Sequence, residues 1–307
     1  MKINLTDANV SANLETASVM PLRVAVILTC FNRKQKTLEC LHALAANTGL
    51  EHVQLYAFLV DDESTDGTAD AVRASFPWVD VLTGDSNLFW CRGMHKAFEI
   101  AMQGNYDYYL WLNDDTMLQA DALARLLACE GALGQRNPVI VVGSTVDDKS
   151  GELTYGGVVR PSKLKPMTFQ RVVPTLEPLR CDSMTGNIVL IPALVAQALG
   201  NLDTVFEHAM GDIDYALRAR QLGFEVCVGP GVFGTCSNNP IAGTYLDASQ
   251  PLLHRWRQII SRKGLPWRSW FRLTRRHAGP LWPVYFAWPY ISVIISSFRQ
   301  RKNIHHG

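Results

Sequence analysis

The last sixty residues of this 307-residue chain contain no aspartate and no glutamate. The eleven lysines and arginines of 248–307 are therefore unopposed, while residues 1–247 carry 18 basic against 28 acidic side chains. A net charge of +1 thus hides an acidic region and a basic one, with different tasks. Other absences narrow the class. The seven cysteines form no Cys-x-x-Cys pair and no cysteine–histidine cluster, and Cys30, Cys40, Cys129 and Cys227 stand in apolar segments. Reduced, buried thiols of a cytoplasmic protein are expected, not a zinc site or a disulfide framework. The first twenty residues have neither a basic leader nor an apolar stretch, which predicts a flexible tail over 1–20 and no secretion signal or membrane span there. No internal repeat and no low-complexity tract occurs, and the length permits one large domain or two.

What is present is a regular alternation. Arg23–Thr29, Leu55–Val60, Val79–Leu82 and Tyr108–Leu112 are short apolar runs of strand length. Between them, Lys34–Asn47 (Leu38, Leu41, Leu44, Ala45), the segment after Thr68 (Ala69, Val72, Phe76) and Gly93–Met102 (Met94, Ala97, Phe98, Ala101) show helical stripes. Four strands alternating with three helices predict an α/β fold with a doubly wound, mostly parallel sheet. Such sheets bind ligands at the carboxyl ends of their strands. Here those ends read Cys30–Arg33, Asp61–Asp66 and Asn113–Asp115. A single acid after a strand is ordinarily a helix cap, but two Asp-Asp pairs on one rim repel unless a cation joins them. A hard divalent ion carrying a phosphorylated ligand is the natural guest.

Further on, the pattern predicts a helix over Asp121–Glu130, a strand over Val139–Gly143, irregular hairpins over 144–182 and a strand over Asn187–Ile191. Pro192 is expected at N1 of a short helix. A helix following His208 carries Ile213, Leu217 and Leu222 on its apolar face and stops at Gly223; strands Phe224–Val228 and Val232–Thr235 close the unit. Asp212 and Asp214 fall in that helix's first turn, where the dipole favours carboxylates whatever else they do. The first turn, TCFNRKQKT, has no glycine where a nicotinamide or methyl-donor cofactor would need close backbone approach. A dehydrogenase or methyltransferase is thereby disfavoured. A non-enzymatic, magnesium-binding receiver-like domain would leave the GDIDY helix and the basic tail without a purpose.

TCFNR, VDDESTDGT, WLNDDT and GDIDYALRARQLG, in this order over residues 23 to about 236, resemble glycosyltransferase family 2, with the GT-A fold. Within it the chain resembles rhamnosyltransferase-like enzymes of bacterial surface polysaccharide assembly, such as O-antigen or capsule. The resemblance implies a nucleotide-diphosphate-sugar donor (UDP- or dTDP-sugar), magnesium or manganese, and inverting transfer to a hydroxyl of a glycan or polyprenyl-diphosphate-linked acceptor. It also implies a catalytic domain over 21–240, with 21–118 as the nucleotide-sugar half and 119–240 as the acceptor half. Carried over residue by residue, Thr29, Asn32 and Arg33 are donor-binding, and Asp62, with Asp61 beside it, holds the nucleoside. Asp115 is the metal ligand, and Asn113 and Asp114 contact the donor. Asp212 is the catalytic base. Asn113 departs from a strict Asp-x-Asp, and Gly211 stands where a glutamate is common. Asn87 and Trp90 face the donor in the family; a loop with a core tryptophan is the plain alternative. On the acceptor side stand His208, Asp214 and Arg218. His208 either lines the acceptor mouth or is solvated or capping, and Arg218 either closes on the diphosphate or pairs with Asp214.

The extension, 241–307, interleaves arginines with Trp256, Trp267, Trp270 and Phe271. Residues 281–298 then run without a charge, interrupted by Pro283 and Pro289. Three readings stand: an interfacial segment on an anionic membrane, a helix packed on the catalytic domain or on a second subunit of a homodimer, or a span. Nucleic acid is not expected, because no nucleic-acid module is present and the acidic remainder would repel it. A peripheral enzyme at the inner face of the plasma membrane is the corresponding localisation.

Overall fold

A computed structural model describes residues 20–238 and 241–304, with side chains to residue 297. Most of the predicted tail therefore lies outside the described residues. The chain opens with β1 (Leu22–Cys30), α1 (Lys34–Ala45), β2 (Val53–Asp61), α2 (Thr68–Ser75), β3 (Val79–Thr83), α3 (Phe89–Ala101) and β4 (Tyr108–Leu112). β1 pairs in parallel with β2 and β4, and β2 with β3, giving the spatial order β3-β2-β1-β4. Val24 to Leu28 are fully buried on both faces, as a continuous apolar run in a parallel sheet requires.

The second half contributes β5 (Met117–Leu118), α4 (Ala122–Leu133), β6 (Val139–Val146), β7 (Leu153–Tyr155), β8 (Gly157–Val159), β9 (Gln170–Arg171), β10 (Leu179–Arg180), β11 (Ser183–Met184), β12 (Ile188–Pro192), α5 (Ala193–Leu199), α6 (Gly211–Gln221) and β13 (Glu225–Thr235). β12 lies antiparallel between β4 and β6, and β13 runs parallel to β6, so the sheet is mixed beyond β4. A separate three-stranded sheet, β11-β8-β9, occupies part of the stretch expected to be irregular.

Four local expectations are corrected. α3 begins at Phe89 rather than Gly93, because the Asp62 carboxylate accepts the Leu88 and Phe89 N–H groups and caps the helix from another loop. Pro192 is the N-cap residue of α5, with ψ 144, not its first helical residue. The two closing strands are one strand, β13, with a register shift between Val228 and Val232. Leu222 is 59% exposed; α6 instead turns Tyr215, Ala216 and Ala219 into the core.

The extension forms α7 (Leu252–Ile259), α8 (Trp267–His277) and α9 (Trp282–Ile304). α8 inserts Trp270 and Leu273 into the same core as Phe98, Trp111 and Tyr215, so the extension packs on the α/β domain. α9 packs on α8 through Phe271–Trp282 ring contact at 5.2 Å and the Trp270 Nε1 bond to the Phe286 carbonyl. Its outer side leaves Val284, Trp288, Ile291 and Ile295 exposed on one helical stripe, which Leu281, just before the helix, continues. No helix among the described residues is long and apolar enough to cross a membrane.

Candidate active site

The parallel strands end on one rim, and the loops there are laced to one another. Asn32 donates its N–H to Ser64 Oγ at 2.8 Å and accepts Thr65 N–H at 2.7 Å, tying the β1 loop to the β2 loop. Asp66 accepts the N–H groups of Lys34 and Thr68, starting α1 and α2 together. The described non-glycine residues with left-handed backbone are Asn32, Glu63 and Ser86 in loops, Phe89 at the first position of α3 and Met210 at the N-cap of α6. Such conformations cost free energy and persist where surroundings impose them, as at functional sites.

Asp61 and Asp62 are both buried. Asp61 accepts Ser64 N–H at 3.1 Å. Asp62 accepts three backbone N–H groups, from Asp85, Leu88 and Phe89 at 3.0–3.2 Å, and so shapes the whole 84–90 loop. Thr29 is buried beneath α3, where a Cβ at Gly93 would lie 2.2 Å from its Oγ1.

At the β4 tip, Arg33 Nη1 lies 2.7 Å from Asp115 Oδ2 and 3.3 Å from Asp114 Oδ1. Burial pushes the Asp114 carboxyl up to about 7, against the pull of Arg33. Asn113 Oδ1 accepts the Trp90 indole N–H at 2.7 Å, which gives the neutral residue of this motif a fixed partner. The Trp90 ring covers Gly186, where a Cβ would come 2.5 Å from the indole and 3.5 Å from Asp212 Cβ. Asp212 accepts the Gly186 N–H at 2.9 Å on one oxygen and the Ile213 N–H at 2.9 Å on the other. Burial raises its carboxyl above the ordinary range, opposed by these amides. Residues about a hundred positions apart, Asn113 and Asp212, are thus bridged by one indole and one glycine.

No three acidic, histidine or cysteine side chains converge to hold a metal among the described residues. The donor set fits a magnesium-type site nonetheless: one partly exposed carboxylate, Asp115, beside a buried one, already neutralised by a cation. Such ions take one or two carboxylates and complete their shell with phosphates and water.

His208 packs edge-on against Phe89 and has its Nδ1 buried without a hydrogen-bond partner among the described residues. Burial and the charges of Lys263 and Arg33 lower its pKa to about 4, so it is neutral at physiological pH. Asp214 and Arg218 are not brought to the rim. Arg218 Nε pairs with Asp214 at 2.9 Å and its other nitrogens donate to the carbonyls of Leu199 and Asn201. Sequence reasoning missed Arg262, which bonds to Asn87 Oδ1, pairs with Glu207 at 2.6 Å and lies 4.6 Å above the Phe89 ring. It lies 175 residues from Asn87 and carries no local signal.

The doubly wound sheet, the acid-tipped rim and the antiparallel β12 define a GT-A fold. The chain belongs to glycosyl transferase family 2, whose model matches residues 25–189. Solved structures share the fold at low identity. One is S. aureus TarS (TM-score 0.52, 12% identity, 83% of this chain and 42% of that one). Its 1–349 form in complex with UDP is similar (TM-score 0.51, 12%, 83% and 70%). So is the mannosyltransferase PcManGT from Pyrobaculum calidifontis in complex with GDP-Man and Mn2+ (TM-score 0.51, 17%, 90% and 74%). Uncharacterised proteins of Mycobacterium bovis and Mycobacterium tuberculosis are 26% identical over 187 residues; the match spans 57% of this chain and 65% of their length.

Proposed function

We propose that the chain is an inverting glycosyltransferase that moves a sugar from a UDP- or dTDP-sugar to a hydroxyl of a glycan or polyprenyl-diphosphate-linked acceptor. Its setting is surface polysaccharide assembly at the inner face of the plasma membrane. The observation that carries the reading is the approach of Asp212 to the Asn113–Asp115 tip through Trp90 and Gly186. The fold's likeness to structures holding UDP, or GDP-Man with Mn2+, supports the donor class.

Asp212 removes the acceptor hydroxyl's proton as that oxygen attacks the anomeric carbon and the bond to the diphosphate breaks. A carboxylate whose proton affinity is raised is suited to that work, and the two backbone N–H groups fix its direction. One base and one displacement invert the anomeric centre, so no second nucleophile is needed. Arg33 neutralises Asp114 and Asp115 and keeps the pair from repelling the donor's phosphates. When bound at Asp115, magnesium or manganese would neutralise charge building on the departing diphosphate.

The test is a panel of UDP-, dTDP- and GDP-sugars read by release of the nucleoside diphosphate, with and without EDTA. One donor should be turned over, and EDTA should stop it. Asp212→Asn should lose at least about a hundredfold in kcat, while UDP with manganese still raises its Tm. An active Asp212→Asn enzyme would sink the assignment.

A further inference from the structure

Two residues beyond Asp212, Asp214 is completely buried and surrounded by cations from two helices. Arg218 of α6 reaches it at 2.9 Å. Arg276 Nη1 of α8 bonds to both its oxygens at 3.0 Å, and His277 Nε2 of α8 lies 2.9 Å from Oδ1. Gln221 of α6 lies 3.4 Å from His277 Nδ1, which leaves Nε2 as the donor to Asp214. Arg276 continues to Asp203 at 2.7 Å, which Arg272 also approaches at 3.5 Å. Burial alone would raise Asp214; His277, Arg218 and Arg276 outweigh it and hold the carboxyl below its ordinary value.

Packing of Trp270 and Leu273 already attaches α8 to the core, so attachment does not require this cluster. What charge-assisted bonds add is direction: they fix the rotation of the first turn of α6 about its axis. Asp212 sits on that turn. We propose that Arg276 and His277, which lie outside the residues matched by the family model, are positioning residues for the transfer reaction, holding α6 so that Asp212 meets the acceptor hydroxyl. The extension is then part of the catalytic unit. The inference rests on Asp212 being the base.

The test compares Arg276→Gln, Arg276→Lys and His277→Phe in the full chain, with the sugar nucleotide the panel identifies. Arg276→Gln and His277→Phe should each lose at least about tenfold in kcat, with donor KM within threefold and the Tm rise caused by UDP and manganese retained. Arg276→Lys keeps the charge and should recover part of the loss. It carries the test if Arg276→Gln does not fold. Amide hydrogen exchange over 211–215 should quicken in these variants while β1 stays protected, a readout independent of any substrate. Unchanged kcat in a folded variant overturns the proposal, as does a donor KM that rises in step with the fall in kcat. Asp212→Asn assayed alongside separates the two ideas: if it stays active, the base assignment fails; if it is dead while the α8 variants run at full rate, only the positioning role fails.

Discussion

Asp62, Asp114, Asp212 and Asp214 are chemically the same side chain, and the fold gives each different work by what it places around the oxygens. Three backbone N–H groups occupy Asp62, which makes it an architectural residue of the 84–90 loop whatever else it touches. Two arginines and a histidine occupy Asp214. Asp212 has one amide on each oxygen and lone pairs to spare. Its raised proton affinity gives a pH dependence with a definite sign. As the proposed base, Asp212 must be ionised, so kcat/KM should fall as pH drops through the folded pKa, with an acid limb above the ordinary carboxylate value of about 3.9. Burial also raises Asp114, to about 7. The limb should persist in Asp114→Asn; its disappearance there would transfer it to Asp114. Asp114 also bears on stability: its raised pKa contributes stability fully present below about pH 3.9 and lost as pH rises through about 7.

Helix α3 shows how one element links the tips of β1, β2 and β4. Its start is capped by Asp62 of the β2 loop, its first turn supplies Trp90 to Asn113, and Gly93 lets it lie against Thr29 at the end of β1. Gly93→Ala would gain up to about 1 kcal/mol in helix propensity. Its Cβ, 2.2 Å from Thr29 Oγ1 and 2.9 Å from Thr29 Cβ, would cost about 1–3 kcal/mol in overpacking. The net expectation is a lower Tm, measured by calorimetry; an unchanged or higher Tm would mean that α3 can shift off β1 freely. The same helix marks where sequence reasoning reached its limit. β1 to β4 were legible because each is a short apolar run with a polar tip, and all four strands lie where the runs predict. The start of α3 was not, since its cap comes from a loop 26 residues earlier. Asn113 departs from an acidic motif in the sequence, and only the fold supplies the Trp90 indole N–H that it accepts. The resemblance puts Asp214 and Arg218 on the acceptor side, with pairing of Arg218 to Asp214 as the alternative; that pair forms, and Arg276 and His277 of α8, which enclose Asp214, are more than sixty residues away.

At the scale of the whole molecule, the charge division of the sequence becomes a division of surfaces. The extension turns one side to the α/β core and leaves Leu281, just before α9, and Val284, Trp288, Ile291 and Ile295 of α9 outward, in a segment with eleven cations and no acids of its own. A symmetric dimer through this face would bring together two segments that carry no acidic residue of their own, whereas a bilayer bearing anionic lipid meets both the apolar stripe and the cations left without an ion pair. Burying a large apolar side chain is worth about 1.5–3 kcal/mol, so losing one from such an interface weakens binding roughly tenfold or more. The protein should therefore sediment with vesicles containing phosphatidylglycerol, less with pure phosphatidylcholine, and less again as salt is raised. Trp288→Glu and Ile291→Glu should each lose at least tenfold in vesicle affinity while keeping the rate with a water-soluble acceptor, because neither side chain touches the rim. A dimer by light scattering that Trp288→Glu dissociates, with no vesicle binding by the native chain, would assign the stripe to a second copy and remove the membrane from the proposed setting.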